Sequence, residues 1–161
     1  MRYLQGSEEA EALEFILAAS EFAKQATCLR SKCGSIIVKS GAVIGVGYNS
    51  PPNEDESQRR CLNEKSSYNS KVTDKTCCVH AEQRAIMDAL EFNPGTIQDS
   101  RLYFIRLDEE DMPKRSGDPY CTICSKLALD VGIKEFVLWH KQGIAVYDTK
   151  EYNDLSFQFK G

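Results

Sequence analysis

Val79-His-Ala-Glu-Gln-Arg-Ala-Ile-Met-Asp-Ala-Leu-Glu-Phe92, then Asn93-Pro94-Gly95, then Leu102-Tyr-Phe-Ile-Arg-Leu107, decides the fold class. Ala81, Ala85, Ile86, Ala89 and Leu90 recur at helical spacing, so 79–92 reads as an amphipathic helix. Asn93-Pro94-Gly95 stops it, and the apolar run Leu102–Leu107 reads as a strand. Working toward the C-terminus, 121–131 reads as a helix with Gly132 just past its end, and Ile133–Trp139 and Ile144–Tyr147 as strands. Toward the N-terminus, Ile36–Val38 and Val43–Tyr48 flank Ser40-Gly41 as a β-hairpin. Ser7 is an N-cap candidate ahead of Glu8, Glu9 and Glu11, and Leu13, Ile16, Leu17 and Ala23 share one face, which predicts a helix over 8–28. The order is helix, hairpin, helix, strand, helix, strand, strand. Strands alternating with helices imply an α/β sheet covered by helices, with parallel pairs where a helix crosses over. The tail 148–161 is weakly patterned.

The 161 residues fit a single domain spanning 1–161. Apolar side chains make up 42% and charged ones 27%, which excludes a disordered tail, a collagen-like fibre and a small disulfide scaffold. No apolar run reaches the roughly 20 residues of a membrane span. The start, MRYLQGSEEAEA, turns acidic at once and has no apolar signal core, so the expected location is cytoplasmic and no membrane partner is expected. A net charge of −4 shifts the expected partner from a nucleic-acid polymer to a small molecule. Seven cysteines, an odd number without an export signal, argue for metal or reactive thiols over a disulfide framework.

His80 opens the central helix, and Cys121 and Cys124 open the next one. The i, i+3 spacing puts both sulfurs on one face, and a helix start favours the thiolate that a metal needs. One His and two Cys suit zinc, and three protein ligands leave a fourth position for water, as in a catalytic site. Taken alone, the Cys-x-x-Cys reads equally as buried thiols or half of a structural zinc knuckle. Glu82, two residues past His80, changes the balance, because a carboxylate there can move protons.

His80-Ala-Glu82 with Pro119-Tyr-Cys121-Thr-Ile-Cys124 resembles the His-x-Glu…Pro-Cys-x-x-Cys signature of zinc-dependent nucleobase deaminases. The chain is identified as similar to the cytidine/deoxycytidylate deaminase superfamily over roughly 10–147. The resemblance implies a three-layer α/β/α sandwich around a mixed five-stranded sheet. It implies that His80, Cys121 and Cys124 bind the catalytic zinc, and that Glu82 shuttles protons to the ring nitrogen and the leaving ammonia. It further implies that Asn49 of Gly-Tyr-Asn touches the sugar, that the Ala81 backbone N–H holds the base carbonyl, and that the chain forms a homo-oligomer. Tyr120 departs from the pattern, since it separates Pro119 from Cys121. It reads as a wall that stacks on the base, or as filler in the loop.

Gly47-Tyr-Asn-Ser-Pro-Pro52, followed by a Cys-bearing insertion at about 50–77, resembles the deoxycytidylate deaminases, as does the Arg30-Ser-Lys-Cys-Gly34 turn. That resemblance implies conversion of dCMP to dUMP, with Arg30, Lys32, Arg59 and Arg60 as candidates for the phosphate. Five acids in 108–118 predict a negative wall at the mouth, which disfavours a polyanion. The alternatives are a deaminase of another nucleobase or of tRNA adenosine, and a non-catalytic zinc-stabilised interaction protein, which would have no use for Glu82. Cys28, Cys33, Cys61, Cys77 and Cys78 remain. Cys28 with Cys61, Cys77 and Cys78 would close a second, structural zinc site; otherwise they are packing or redox thiols.

Overall fold

The computed structural model describes residues 1–115 and 117–161. Its elements run β1 (Arg2–Tyr3), α1 (Gly6–Ala23), β2 (Cys33–Lys39), β3 (Ala42–Tyr48), α2 (Ala81–Phe92), β4 (Arg101–Leu107), β5 (Pro113–Lys114), α3 (Thr122–Asp130), β6 (Glu135–His140), β7 (Gly143–Asp148) and α4 (Thr149–Gln158). The sheet order is β1-β7-β6-β4-β2-β3, with β5 added to the end of β4. β4 and β6 pair in parallel across the α3 crossover, and the other pairs are antiparallel. The expected mixed sheet and three layers are present. Among the described residues the sheet has seven strands where five were expected, because β1 and β5 are two residues each, too short to leave a period in the sequence.

α1 covers one face, packing Ile16, Ala19 and Ala23 with Ile36, Tyr103, Ile105 and Val137. α2, α3 and α4 cover the other, over Ile37, Leu102, Phe104, Phe136 and Leu138. Alternation along β4 assigns Tyr103 and Ile105 to the first face and Leu102 and Phe104 to the second. Close approach fixes α2 against the hairpin. A Cβ on Gly47 would sit 2.3 Å from the Ala81 carbonyl oxygen, so glycine there lets the first turn of α2 rest on β3.

Three expectations need correction. α1 begins at Gly6 with Gln5 as its cap residue, so Ser7 lies inside the first turn, and the helix ends at Ala23, not 28. It stops because the chain turns toward the sheet there, where the Thr27 N–H pairs with the Asn49 carbonyl. The tail forms α4, capped by the Asp148 side chain accepting from Lys150 N–H at 2.9 Å and held by Tyr152, which stacks on Phe136 at 4.0 Å between centroids. The insertion forms three single 3₁₀ turns, at 52–54, 56–58 and 65–67, closed at its neck by a Ser50–Val79 bridge. Among the described residues, no helix is long and apolar enough to cross a membrane.

Candidate active site

The sheet brings the starts of α2 and α3 together. His80 caps α2, and Cys121 caps α3, with Cys124 in its first turn. His80 Nδ1 lies 3.2 Å from Cys124 Sγ and 3.3 Å from Cys121 Sγ. A tetrahedral zinc with bonds of about 2.0–2.3 Å separates its ligands by about 3.5–3.8 Å, so the trio is close to the spacing the ion needs and within small side-chain adjustments of it. Thr76 fixes which ring nitrogen faces the sulfurs. His80 Nε2 meets Thr76 Oγ1 at 3.2 Å, and the Thr76 hydroxyl donates to Asp74 at 2.6 Å. With Nε2 engaged, Nδ1 is left as the ligand atom.

The trio already behaves as a charge-separated group. Hydrogen bonds from Cys124 and His80 hold the Cys121 thiol down to about 4 against the effect of burial. The Cys121 contact raises His80 to about 9, and sharing with Cys121 together with burial pushes Cys124 well up. Metal binding therefore displaces protons from His80 and Cys124. Glu82 is 6% exposed in the first turn of α2. Burial, followed by the Cys121 charge, raises its carboxyl to about 7, partly offset by His80. A carboxyl near neutrality beside a metal trio can both accept and return a proton.

His80, Cys121 and Glu82 line one cavity of about 330 Å³, together with Asn49, Ala81, Phe104 and Tyr120, and Cys124 lies buried behind its wall. The Ala81 N–H is among the donors that a helix start leaves unpaired. Asn49 is largely committed: its Oδ1 accepts from Cys33 N–H at 2.8 Å, and its Nδ2 donates to the Ser31 carbonyl at 2.9 Å. One Nδ2 hydrogen remains for a ligand. Tyr120 lines the cavity with its hydroxyl on Arg106, and its ring meets Phe159 at 5.6 Å.

The cations that the sequence offered for a phosphate are mostly occupied. Arg30 lines the cavity but clamps the insertion, with Nε on the Cys61 carbonyl and Nη2 on the Asn63 carbonyl at 2.6 Å. Lys32 pairs with Asp111 at 2.7 Å and Arg59 with Glu56 at 2.6 Å, both outside the cavity lining. Arg60 reaches the cavity, and so do three cations that sequence reasoning missed: Lys65, Lys75 and Arg106. Glu82 is the sole carboxylate among the described lining residues. The expected negative wall is displaced: Asp108–Asp111 border a neighbouring depression with Lys32, and Ser116 of that loop lies outside the described residues.

The second cysteine set also converges. Cys28, Cys61 and Cys78 present their sulfurs within 4.8 Å of one another. Cys77 Sγ lies 3.2 Å from Cys61 Sγ and 3.7 Å from Cys78 Sγ, and the latter two are 3.7 Å apart. Four thiolates on one zinc stand about 3.8 Å apart; Cys28, Cys61 and Cys78 form a group compact enough to take a metal, and Cys77 adjoins two of them without joining that mutual group. Cys33, by contrast, is buried on β2 at the wall of the cavity that holds Glu82.

Residues 9–140 match the family described as the cytidine and deoxycytidylate deaminase zinc-binding region. The deoxycytidylate deaminase of Schizosaccharomyces pombe is 31% identical over 127 residues, which cover 76% of this chain and 35% of that protein. The chain thus spans about a third of the length of this curated relative. Among solved structures, the dCMP deaminase of cyanophage S-TIM5 in complex with dCMP and dUMP is 26% identical, with a TM-score of 0.56 over 83% of this chain and 82% of that one. A cytidine deaminase from Burkholderia pseudomallei shares the fold at 19% identity, with a TM-score of 0.56 over 87% of this chain and 94% of that one.

Proposed function

Because the chain belongs to the cytidine and deoxycytidylate deaminase family, we propose that it hydrolyses the exocyclic amine from a cytosine nucleotide, with dCMP, converted to dUMP, as the favoured substrate. One observation carries the reading. A buried carboxyl poised near 7 adjoins a His-Cys-Cys trio in a cavity that presents Arg30, Arg60, Lys65, Lys75 and Arg106 and no other carboxylate among its described lining residues. In a chain of net charge −4, that lining selects an anionic small ligand. The name of the yeast relative and the nucleotides bound to the phage enzyme support the same choice.

Zinc on His80 Nδ1, Cys121 and Cys124 would supply Lewis-acid activation of water at neutral pH. Glu82 takes the proton that the attacking water gives up and passes it to the ring nitrogen N3. It then carries the second proton to the departing amine, so water and the cytosine base become ammonia and the uracil base. The Ala81 N–H donates to the base carbonyl, Asn49 offers its remaining amide hydrogen to the sugar, and Phe104 and Tyr120 wall the base. Cys28, Cys61, Cys77 and Cys78 would hold a second, structural zinc, which would tie down the insertion. The same reading makes the chain a cytoplasmic homo-oligomer.

The test is ammonia release from dCMP, CMP, deoxycytidine, adenosine and a tRNA anticodon hairpin. Turnover is expected to be fastest on dCMP. Turnover of adenosine or the hairpin alone would discard the cytosine-nucleotide reading, while a rate on deoxycytidine equal to that on dCMP would discard the nucleotide preference.

A further inference from the structure

Arg106 is the sixth residue of a strand whose other side chains, from Leu102 to Leu107, are apolar or aromatic. Its neighbours in the sheet are Cys33 on β2 and Lys114 on β5. Alternation puts it on the same face as Leu102 and Phe104, and it lines the cavity that His80, Glu82 and Cys121 also line.

A guanidinium carries five N–H donors. Among the described residues, Arg106 uses one of them on an oxygen, Nη2 to the Tyr120 hydroxyl at 2.7 Å. It forms no ion pair with any described carboxylate. Its Nε is buried and has no partner. Two other described side-chain atoms share that condition, Ser100 Oγ and Thr149 Oγ1, but both are neutral hydroxyls and neither lines the cavity. Arg106 is therefore a positively charged, partly desolvated fork with most of its donors unclaimed by any described oxygen, at the wall of the cavity where the ligand must sit. Such a group costs stability unless an anion completes it.

The rival cations are built differently. Arg30 already spends its Nε and Nη2 on insertion carbonyls. Arg60 and Lys65 stand exposed on the insertion, and Lys75 lies near its end. Arg106 alone among the five is rooted in the sheet. Tyr120 adds to it, because a phenol whose lone pair accepts from Arg106 keeps its own hydrogen to donate. A phenol is protonated at neutral pH, so that hydrogen is in place. A planar fork with an adjacent O–H matches the oxygens of a phosphate monoester.

We propose that Arg106, with the Tyr120 hydroxyl, is the phosphate anchor of the nucleotide site, gripping the substrate from the sheet and leaving Arg30 as a clamp on the insertion. The assignment rests on the nucleotide reading above.

The experiment compares wild type, Arg106→Gln, Arg106→Lys and Tyr120→Phe. Titration calorimetry measures dUMP, deoxyuridine and inorganic phosphate, and steady-state kinetics measures dCMP and deoxycytidine. Arg106→Gln is expected to weaken dUMP and lower kcat/KM for dCMP by roughly ten- to a hundredfold, with deoxyuridine and deoxycytidine changed by less than about twofold. Arg106→Lys keeps the charge but not the fork, so it should recover part of the loss, and Tyr120→Phe should cost about threefold on the nucleotide alone. Equal losses on nucleoside and nucleotide would overturn the assignment, because Arg106 would then serve the base, the sugar or the fold. Unchanged dUMP affinity in Arg106→Gln would overturn it too. In either case wild-type turnover of dCMP leaves the deaminase reading standing. If wild type turns over no cytosine nucleotide, that reading falls, and the phosphate titration still decides: binding that is lost in Arg106→Gln and kept in part by Arg106→Lys upholds the anchor, and any other result removes it.

Discussion

Cys78 and His80 are two residues apart, yet they belong to clusters of different construction. His80, Cys121 and Cys124 stand on helix starts that pack against the sheet, with the α2 contact set by Gly47. Cys28, Cys61, Cys77 and Cys78 stand on turns, joined to the body by Arg30, Arg59 and the Ser50–Val79 bridge. The packing of helix on sheet positions the first set. In the second set the direction of dependence reverses: a metal would position the chain, because the 50–77 segment has few apolar side chains of its own to bury. The first set also has a buried carboxyl beside it, and none of the described groups gives the second set one. On the proposed reading, similar donor chemistry serves reaction in one place and cross-linking in the other.

The largest effect should come from that carboxyl. Glu82→Gln keeps the shape of the side chain and the ligand trio but cannot cycle a proton. Turnover on dCMP is expected to fall at least about 10²–10⁴-fold, the usual range for one general acid–base group, while elemental analysis shows unchanged zinc. A near-wild-type rate would remove Glu82 from the chemistry. Loss of zinc would show that the two clusters differ less in construction than the structure indicates.

The two sets should also separate when each is cut. Wild type should hold about two zinc ions per chain, Cys61→Ser with Cys77→Ser about one, and Cys124→Ala about one. Only the first of these variants should speed proteolytic cleavage within 50–77, since only there does the metal order the chain. A wild-type ratio of one, or cleavage that speeds equally in both variants, breaks the comparison.

How far each region can be read from sequence follows from the same contrast. Helix starts and strands leave periodic signals, so α2 and α3, which carry His80, Glu82, Cys121 and Cys124, and the long strands beneath them are legible from spacing alone. α4 is not: Asp148 is a proper cap residue, but the helix is held mainly by Tyr152 stacking on Phe136, a contact between distant positions. Charges on the turn before β2 and on the insertion are the least legible, because Arg30, Lys32 and Arg59 look free in sequence and find partners only when the chain is folded. Arg106 did leave a signal, a lone cation between Ile105 and Leu107 in a buried strand, which should be read as a polar group facing a site.

Thr76 offers a finer test, since it lies in the loop-held region but serves the helix-held trio. Its hydroxyl meets His80 Nε2 at 3.2 Å. Thr76→Val preserves shape and removes that partner, so zinc affinity at the first set should fall by about tenfold, the lower end for an outer partner of a metal-bound histidine. A competing chelator, applied to the Cys61→Ser, Cys77→Ser background, reads this set alone. An unchanged affinity would mean that His80 is oriented by the helix cap without help from the insertion.

The smallest expected effect tests whether the scaffold under the first set is independent of the insertion. Glu8 accepts both guanidinium nitrogens of Arg2 at 2.7 and 2.8 Å, and Arg101 Nη2 at 3.3 Å, while Arg101 Nε also bonds Glu135 at 2.7 Å. These contacts tie β1 and α1 to β4 and β6, the strands that frame α3. The Arg2 hydrogen bonds, and after them Arg101, hold the Glu8 carboxyl down to about 2 from an ordinary value of 4.5. A carboxyl lowered on folding stabilises the protein above its unfolded value and loses that contribution as pH falls from about 4.5 toward about 2. The Glu8 side chain is 38% exposed, so solvent screening cuts the benefit to the roughly 0.2–1 kcal/mol of an accessible pair. Glu8→Gln should therefore lower the urea midpoint slightly at neutral pH and flatten its decline between about pH 5 and pH 2. Cleavage of the 50–77 insertion should not change, because none of its described residues touches Glu8, Arg2 or Arg101. Faster cleavage in Glu8→Gln would mean that the insertion depends on the sheet as closely as the helix starts do, and the two regions would have to be treated as one cooperative unit.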